Sequence, residues 1–198
     1  MIRSSRVEVI TAKAEDLDMI LEILNEAARW VVSRGRKGWK PGSFSSQSIN
    51  EQIEREEVYS GRIGGEIVGT ITLQWRDKMF WAETPQDAGY IHKLAVRPAY
   101  GGKGIGLQLI RWAENQASTI RKRYLRLNCL ASDRGLCDYY EKAGFKHIRD
   151  VLEQRGLAKS VRKETLKPLP FPDMLEGFWN DEWTHVGFDE TAVRYRYT

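Results

Sequence analysis

The stretch "RPAYGGKGIGLQLIRW", residues 97–112, sets glycines at 101, 102, 104 and 106 around Lys103 and runs straight into an apolar repeat. Residues without side chains leave backbone amides accessible. A helix that begins in such a loop also points its positive dipole end and its unbonded N–H groups outward, which suits a phosphate or pyrophosphate. Two common cradles fail on spacing. A Walker A loop needs Gly-x-x-x-x-Gly-Lys followed by Ser or Thr, whereas Lys103 precedes Gly104 and position 97 is arginine. The dinucleotide fingerprint needs Gly-x-Gly-x-x-Gly directly after a first strand, and here Gly102, Gly104 and Gly106 have single spacers and sit late in the chain.

Other reactive side chains stand nearby in sequence. His92 lies in "YIHKLAV", which reads as a strand ending before Pro98; by period two it shares a face with Tyr90, and an imidazole with an ordinary pKa of about 6.5 suits a base. The same residue could equally be packed in the strand or bonded to a backbone carbonyl. Tyr140 recurs at helical spacing with Leu136, which on its own is a core pattern, and Tyr139 reads as packing. Cys137 is one helical turn from Tyr140, but a covalent acyl-cysteine route needs an activating base and none is apparent. With only Cys129 and Cys137, and no companion ligands at metal spacing, the expectation is two reduced thiols and no metal.

The elements that must position these groups follow from periodicity. "RVEVITA" alternates as a strand, and Leu17, Ile20, Leu24, Ala27 and Val31 repeat as a helix after an acidic first turn. "SRGRKGWKPGSFSSQ" reads as a loop, and Ser48 with Glu51 has capping-box spacing for a short helix through Glu57. Gly64-Gly65 marks a two-residue hairpin, and Gly69 suggests a bulge in its second strand. A helix then carries Ile105, Leu109, Trp112, Ala113, Ala117 and Ile120. "YLRLNCL" is a strand, and a short helix through Leu136, Tyr140 and Ala143 closes at Gly144. From Val151 no period is sustained until "TAVRYRYT" alternates as a final strand near 191–197, so residues 151–198 read as an extension completing a core of residues 1–150.

The segment "YIHKLAVRPAYGGKGIGLQLIRWAE" resembles the central motif of the GNAT superfamily, the acyl-CoA-dependent N-acyltransferases, whose loop pattern is Arg/Gln-x-x-Gly-x-Gly/Ala between a strand and a helix. "YYEKAGF" resembles the same family's second signature, with Tyr140 in the tyrosine position. The resemblance covers about Val7 to Ile148. It implies an α/β fold, a central mixed, mostly antiparallel twisted sheet with helices on both faces, and a function as an N-acetyltransferase. Acetyl-CoA would be the acyl donor, with its pantetheine along Leu94, Ala95 and Val96 and its pyrophosphate on the amides of Gly102, Lys103, Gly104, Ile105, Gly106 and Leu107.

By the same resemblance an amine attacks the thioester directly in a ternary complex, a backbone N–H near Leu94 stabilises the developing oxyanion, and Tyr140 protonates the leaving thiolate. His92 is the candidate base. Four positions depart from the family pattern. Gly101 replaces the usual Arg or Gln, so one pyrophosphate contact is missing or falls to Arg97 or Lys103. Asp133 stands where many members have a cofactor-binding asparagine, and Tyr90 and Asn128 occupy strand positions where some members place a carboxylate base. A non-catalytic acyl-CoA-binding module is the alternative reading.

The acceptor is less legible. Trp39, Trp75 and Trp81 lie in or beside loops bordering the acceptor side, with Asp77, Glu83 and Asp87 nearby, which would suit a cationic amine. The same tryptophans would also serve simply to cover the core. Trp179 and Trp183 could cover the site or form a homodimer contact. A net charge of +4 spread without a basic stripe argues against nucleic acid, and the chain shows no membrane span or export signal, so the expected compartment is the cytoplasm.

Overall fold

The computed structural model describes residues 6–82, 85–153 and 156–164, with side chains through residue 152. Strand β1 (Glu8–Thr11) leads through a one-turn helix, Ala14–Asp16, into α1 (Leu17–Ser33) and then α2 (Ser46–Glu54). A meander of β2 (Val58–Ile63), β3 (Glu66–Gln74) and β4 (Ala88–Val96) follows, then α3 (Ile105–Thr119), β5 (Tyr124–Leu130), α4 (Arg134–Lys142), β6 (Lys146–Glu153) and β7 (Gly156–Glu164). These strands form one seven-stranded sheet in the order β1-β2-β3-β4-β5-β7-β6. Every neighbouring pair is antiparallel except β4 with β5. The mixed, mostly antiparallel sheet is the one expected.

Apolar periodicity places the helices on opposite faces. Ile20, Ile23 and Leu24 of α1 and Ile49 and Ile53 of α2 bury against Val58, Ile67 and Ala95. On the other face Ile105, Leu109, Ile110 and Ala113 of α3 and Tyr140 of α4 pack on Val68, Ile71, Leu73, Ile91, Leu125 and Leu127. Full burial of such side chains contributes about 1.5–3 kcal/mol each, which makes these two layers the main anchor of the sheet. No helix among the described residues is long and apolar enough to cross a membrane.

Local details differ from the sequence reading in instructive ways. Helix α2 is capped by Ser45, whose hydroxyl accepts the Ser48 N–H at 3.2 Å, so the cap lies three residues before the expected one and the helix ends at Glu54. The β2–β3 hairpin turns at Gly64 and Gly65, both at positive φ (58° and 86°), as a tight primed turn demands. Its bulge falls one residue before Gly69, because Gly61 pairs with Gly69 but Arg62 pairs with Ile67, leaving Val68 extra. The sheet also runs past the boundary read at residue 150: β6 spans it, and β7 inserts between β5 and β6. In "GLAKSVRKE" charged residues replace the apolar alternation, and hydrogen bonds to a strand on each side hold the segment extended. The strand expected at 191–197, Trp179 and Trp183 lie outside the described residues.

A second bulge matters more. Thr72 pairs with His92 and Thr70 with Ala95, so β4 carries one more residue than β3 across this interval, and Lys93 adopts a positive φ of 46°. The bulge reverses the side-chain alternation: Ile91, Leu94 and Val96 pack toward α3, and Ala95 packs toward α1 and α2. Gly69 lets β4 sit this close to β3, since a Cβ there would lie 2.9 Å from the Ala95 carbonyl oxygen and 3.2 Å from Leu109 Cδ1. Gly69→Ala is expected to destabilise the fold by about 1–3 kcal/mol, measured as a lowered urea midpoint with unchanged slope. An unchanged midpoint would contradict this packing.

Candidate functional site

The site begins where the sheet opens. β4 and β5 pair only from Ala88↔Tyr124 to Ile91↔Leu127, yet β4 continues to Val96 and β5 to Leu130. The Arg97 N–H donates to the Val68 carbonyl on the β3 side at 2.9 Å. By strand alternation Ala95 also faces β3, and the N–H and C=O of Leu94 and Val96 face the gap. This is an unpaired strand edge inside a sheet, able to pair with an extended amide-bearing chain.

At the far end of that edge the glycine loop starts α3. Gly104 is its N-cap, at φ 75°, and no side chain caps the helix. The first amides of a helix have no intrahelical acceptor, so Ile105, Gly106 and Leu107 present free donors at the positive dipole end. Gly102 also takes φ 75°, and a Cβ at Gly102 or Gly104 would meet nothing within 4 Å. The backbone conformation, not crowding, is what calls for glycine there. Lys103 lies with Nζ 4.6 Å from the centre of the Tyr100 ring, close to the loop it would serve.

A groove of about 360 Å³ runs beside this edge, floored by Leu94, Ala95 and Val96 and walled by Gly106, Tyr139 and Tyr140. Tyr140 is 8% exposed, stacks edge-on against Phe145, and has no hydrogen-bond partner for its hydroxyl among the described residues. Burial raises its pKa well above the usual phenol value, so it keeps its proton. Tyr139 packs against the core, as read from sequence, and its hydroxyl also reaches the loop: a Cβ on Gly106 would lie 2.5 Å from that oxygen. Cys129 and Cys137 are buried and not joined in a disulfide, with sulfurs 3.9 Å apart.

Asp133 caps α4, accepting the Leu136 N–H at 3.0 Å, and binds Arg36 through both carboxylate oxygens at 2.6 and 2.7 Å. Arg36 lines the groove too, with its guanidinium 5.4 Å from the centre of the Trp30 ring. Asp133 therefore ties the loop after α1 to α4 beside the groove. Sequence reasoning missed Arg36 because nothing in a Gly- and Ser-rich loop signals a partner 97 residues away.

His92 stands on the opposite face of the sheet. Its Nε2 is buried 3.4 Å from Asp77 Oδ2, while Asp77 Oδ1 accepts the N–H groups of Met79 and Phe80 at 3.0 and 3.1 Å. Burial lowers the His92 pKa; Asp77 and Glu57 oppose that shift and Lys93 reinforces it. The imidazole is neutral at neutral pH. Arg126, 3% exposed, helps hold the segment after β3 in place through Asp87 at 2.8 Å, the Pro85 carbonyl at 3.1 Å and Tyr90 Oη at 2.9 Å.

The structure thus gathers Leu94, Ala95, Val96, Gly106 and Tyr140 along one groove, leaves the rest of the 102–107 loop at the start of α3 next to Gly106, and puts His92 on the other face of the sheet. Asp133 does not line the groove; its carboxylate is engaged by Arg36, which does. The tryptophans take packing positions: Trp81 is buried at 3% beside Tyr90 and Tyr124, Trp75 packs toward α3, and Trp39 meets Phe44 edge-on at 5.4 Å. Of the acids expected near them, Asp77 faces His92, Asp87 binds Arg126, and Glu83 lies outside the described residues. Among the described residues no group of three His, Cys, Asp or Glu is placed to hold a metal.

Comparison with known proteins agrees with this architecture. The acetyltransferase (GNAT) family model matches residues 17–145. The uncharacterized N-acetyltransferase YesJ of Bacillus subtilis is 28% identical over 143 residues, 68% of this chain and 78% of that protein. The S-(2-succino)cysteine N-acetyltransferase of the same organism is 30% identical over 101 residues, 49% of this chain and 59% of its own. The crystal structure of PaiA N-acetyltransferase from Thermoplasma acidophilum in complex with coenzyme A superposes with a TM-score of 0.65 at 19% identity, covering 80% of this chain and 99% of that one.

The tight approach of Tyr139 to Gly106 yields a double-mutant test. Gly106→Ala is expected to weaken coenzyme A binding about tenfold, near 1.4 kcal/mol, in isothermal calorimetry, and Tyr139→Phe in the same chain to restore most of it by removing the clashing oxygen. Equal losses in both backgrounds would show that the hydroxyl does not set the loop's position.

Proposed function

We propose that this chain, which belongs to the acetyltransferase (GNAT) family, transfers the acetyl group of acetyl-CoA to a primary amine by direct attack in a ternary complex. It is an acyl-CoA-dependent N-acetyltransferase, and acetyl-CoA is its acyl-donor substrate. The observation that carries the mechanistic reading is the unpaired edge of Leu94 and Val96, lying between the uncapped start of α3 and the free hydroxyl of Tyr140. The residues fit the donor. Amides of residues 102–107 suit a pyrophosphate, and the strand edge suits a pantetheine arm with two amides of its own.

Each chemical role falls to a group already in place. The Leu94 N–H donates to the thioester carbonyl oxygen as negative charge develops there; loss of such a donor costs about 3 kcal/mol in the transition state. Tyr140 donates its proton to the departing sulfur, a role that its raised pKa supports by keeping the phenol protonated. His92, neutral because it is buried, accepts the proton of the attacking amine directly or through water. Asp77, held by two backbone amides, orients the imidazole. The gap lets an amine on the His92 side reach a thioester bound on the Tyr140 side. Asp133 acts on the donor through Arg36 and the groove wall. Buried Cys129 and Cys137, with no disulfide between them, suit work in a reducing compartment such as the cytoplasm.

Release of coenzyme A across a panel of amines, amino acids, aminoglycosides and peptides tests the reaction itself, and binding of coenzyme A without transfer to any of them would favour a non-catalytic binder. On an accepted amine, Tyr140→Phe is expected to lower kcat about a hundredfold at saturating donor, with donor affinity retained. The pH dependence follows from the direction of the His92 shift. A pKa below the ordinary 6.5 keeps the base deprotonated through neutrality, so its acid limb falls below pH 6.5. His92→Ala is expected to abolish that limb, and a variant that kept it would transfer the base role elsewhere.

A further inference from the structure

The bulge that opens β4 also turns Lys93 toward α2, on the same face as His92. Its ammonium donates to the Gln52 side-chain oxygen at 2.9 Å, and a lysine carries three N–H donors. Among the described residues no carboxylate lies within ion-pair distance of it. Glu57, whose charge acts on the ammonium through space, has partners of its own: Gln74 donates to one of its oxygens at 2.6 Å and Arg55 lies 3.4 Å from the other. A half-buried ammonium hydrogen-bonded to one neutral amide, with Glu57 acting on it only through space, is an incompletely compensated charge, and a non-glycine residue at φ 46° is a costly way to place it. Both features sit one residue from the proposed base and one from the proposed oxyanion donor.

We propose that Lys93 receives a carboxylate carried by the acceptor, so that the acceptor class is amino acids rather than polyamines or aminoglycosides. The proposal rests on the reading of His92 as the residue facing the attacking amine. Two unused donors of Lys93 would bind the carboxylate, Gln52 would hold the ammonium in position, and the acceptor's amine would lie toward His92 and the gap. The carboxylates of Asp77 and Glu57 on the same face would favour the cationic form of the amine on arrival, completing a site for a zwitterion.

The test uses the full chain with saturating acetyl-CoA and coenzyme A release as readout. The twenty L-amino acids are each compared with their own carboxamides, with spermidine and ribostamycin as carboxylate-free amines. The expected result is acetylation of one or more amino acids with kcat/KM at least about tenfold above the matched carboxamide. In Lys93→Met that ratio should collapse toward one, chiefly through KM, and Lys93→Arg should restore part of it. A purely structural lysine would lower acid and carboxamide rates equally and leave the ratio unchanged, which overturns the proposal. So does preferred turnover of spermidine or ribostamycin by the unmodified protein, an outcome that needs no variant to fold. Failure of the base reading is separable: it appears as an acid limb surviving in His92→Ala, whatever the acid-to-carboxamide ratio.

Discussion

The arrangement depends on one departure from sheet regularity: β4 and β5 pair as parallel strands up to Ile91 and Leu127 and then part. A backbone N–H left unbonded in a protein interior costs about 1–3 kcal/mol, so an internal open edge persists only where solvent or a ligand can satisfy it. Here the edge is short, limited to Leu94 and Val96 on the β4 side, and it borders a groove. The bulge at Lys93 determines which face each neighbouring side chain takes, and Gly69 allows β3 to support the bulged strand closely.

From that gap the division of labour between the two faces follows. The α3 and α4 side supplies backbone amides at a helix start, an apolar floor and a buried phenol, all suited to a long thioester with a phosphate end. The α1 and α2 side supplies charge: His92 against Asp77, Lys93 on Gln52, and Glu57 on Gln74. Loops close each side by long-range ion pairs. Arg36 and Asp133 join the loop after α1 to α4, and buried Arg126 clasps Asp87 and the Pro85 carbonyl. In the proposed reaction, a single broken strand pairing would separate donor chemistry from acceptor chemistry within a few residues of one strand.

Much of this was legible in the residue order, for reasons that are local. The glycine loop, the α3 periodicity and the Gly64-Gly65 turn are each set by backbone preferences within a few residues, and each appears where expected. What stayed hidden is non-local. Arg36 meets Asp133 only because the fold brings distant segments together, and Asp77 meets His92 only because the β3–β4 connection folds back on β4; no short pattern encodes such pairs. Tyr139 was legible in part: its ring packs as its place on the helix suggests, but nothing in the sequence shows that the small Gly106 lets its hydroxyl reach the helix start. The strand β7 was hidden by its charges, since neighbours on both sides, not apolar alternation, keep it extended. The β4 bulge had no signal in "YIHKLAV" at all.

The most direct measurement is residue-resolved amide hydrogen exchange of β4 with and without coenzyme A. If the gap is the donor-binding edge, Leu94 and Val96 exchange fast in the free protein, while Ile91 and Arg97, paired in the sheet or to Val68, exchange slowly. Saturating coenzyme A should then slow Leu94 and Val96 selectively. Protection of both amides before ligand is added, or no change in either when coenzyme A binds, would contradict the account.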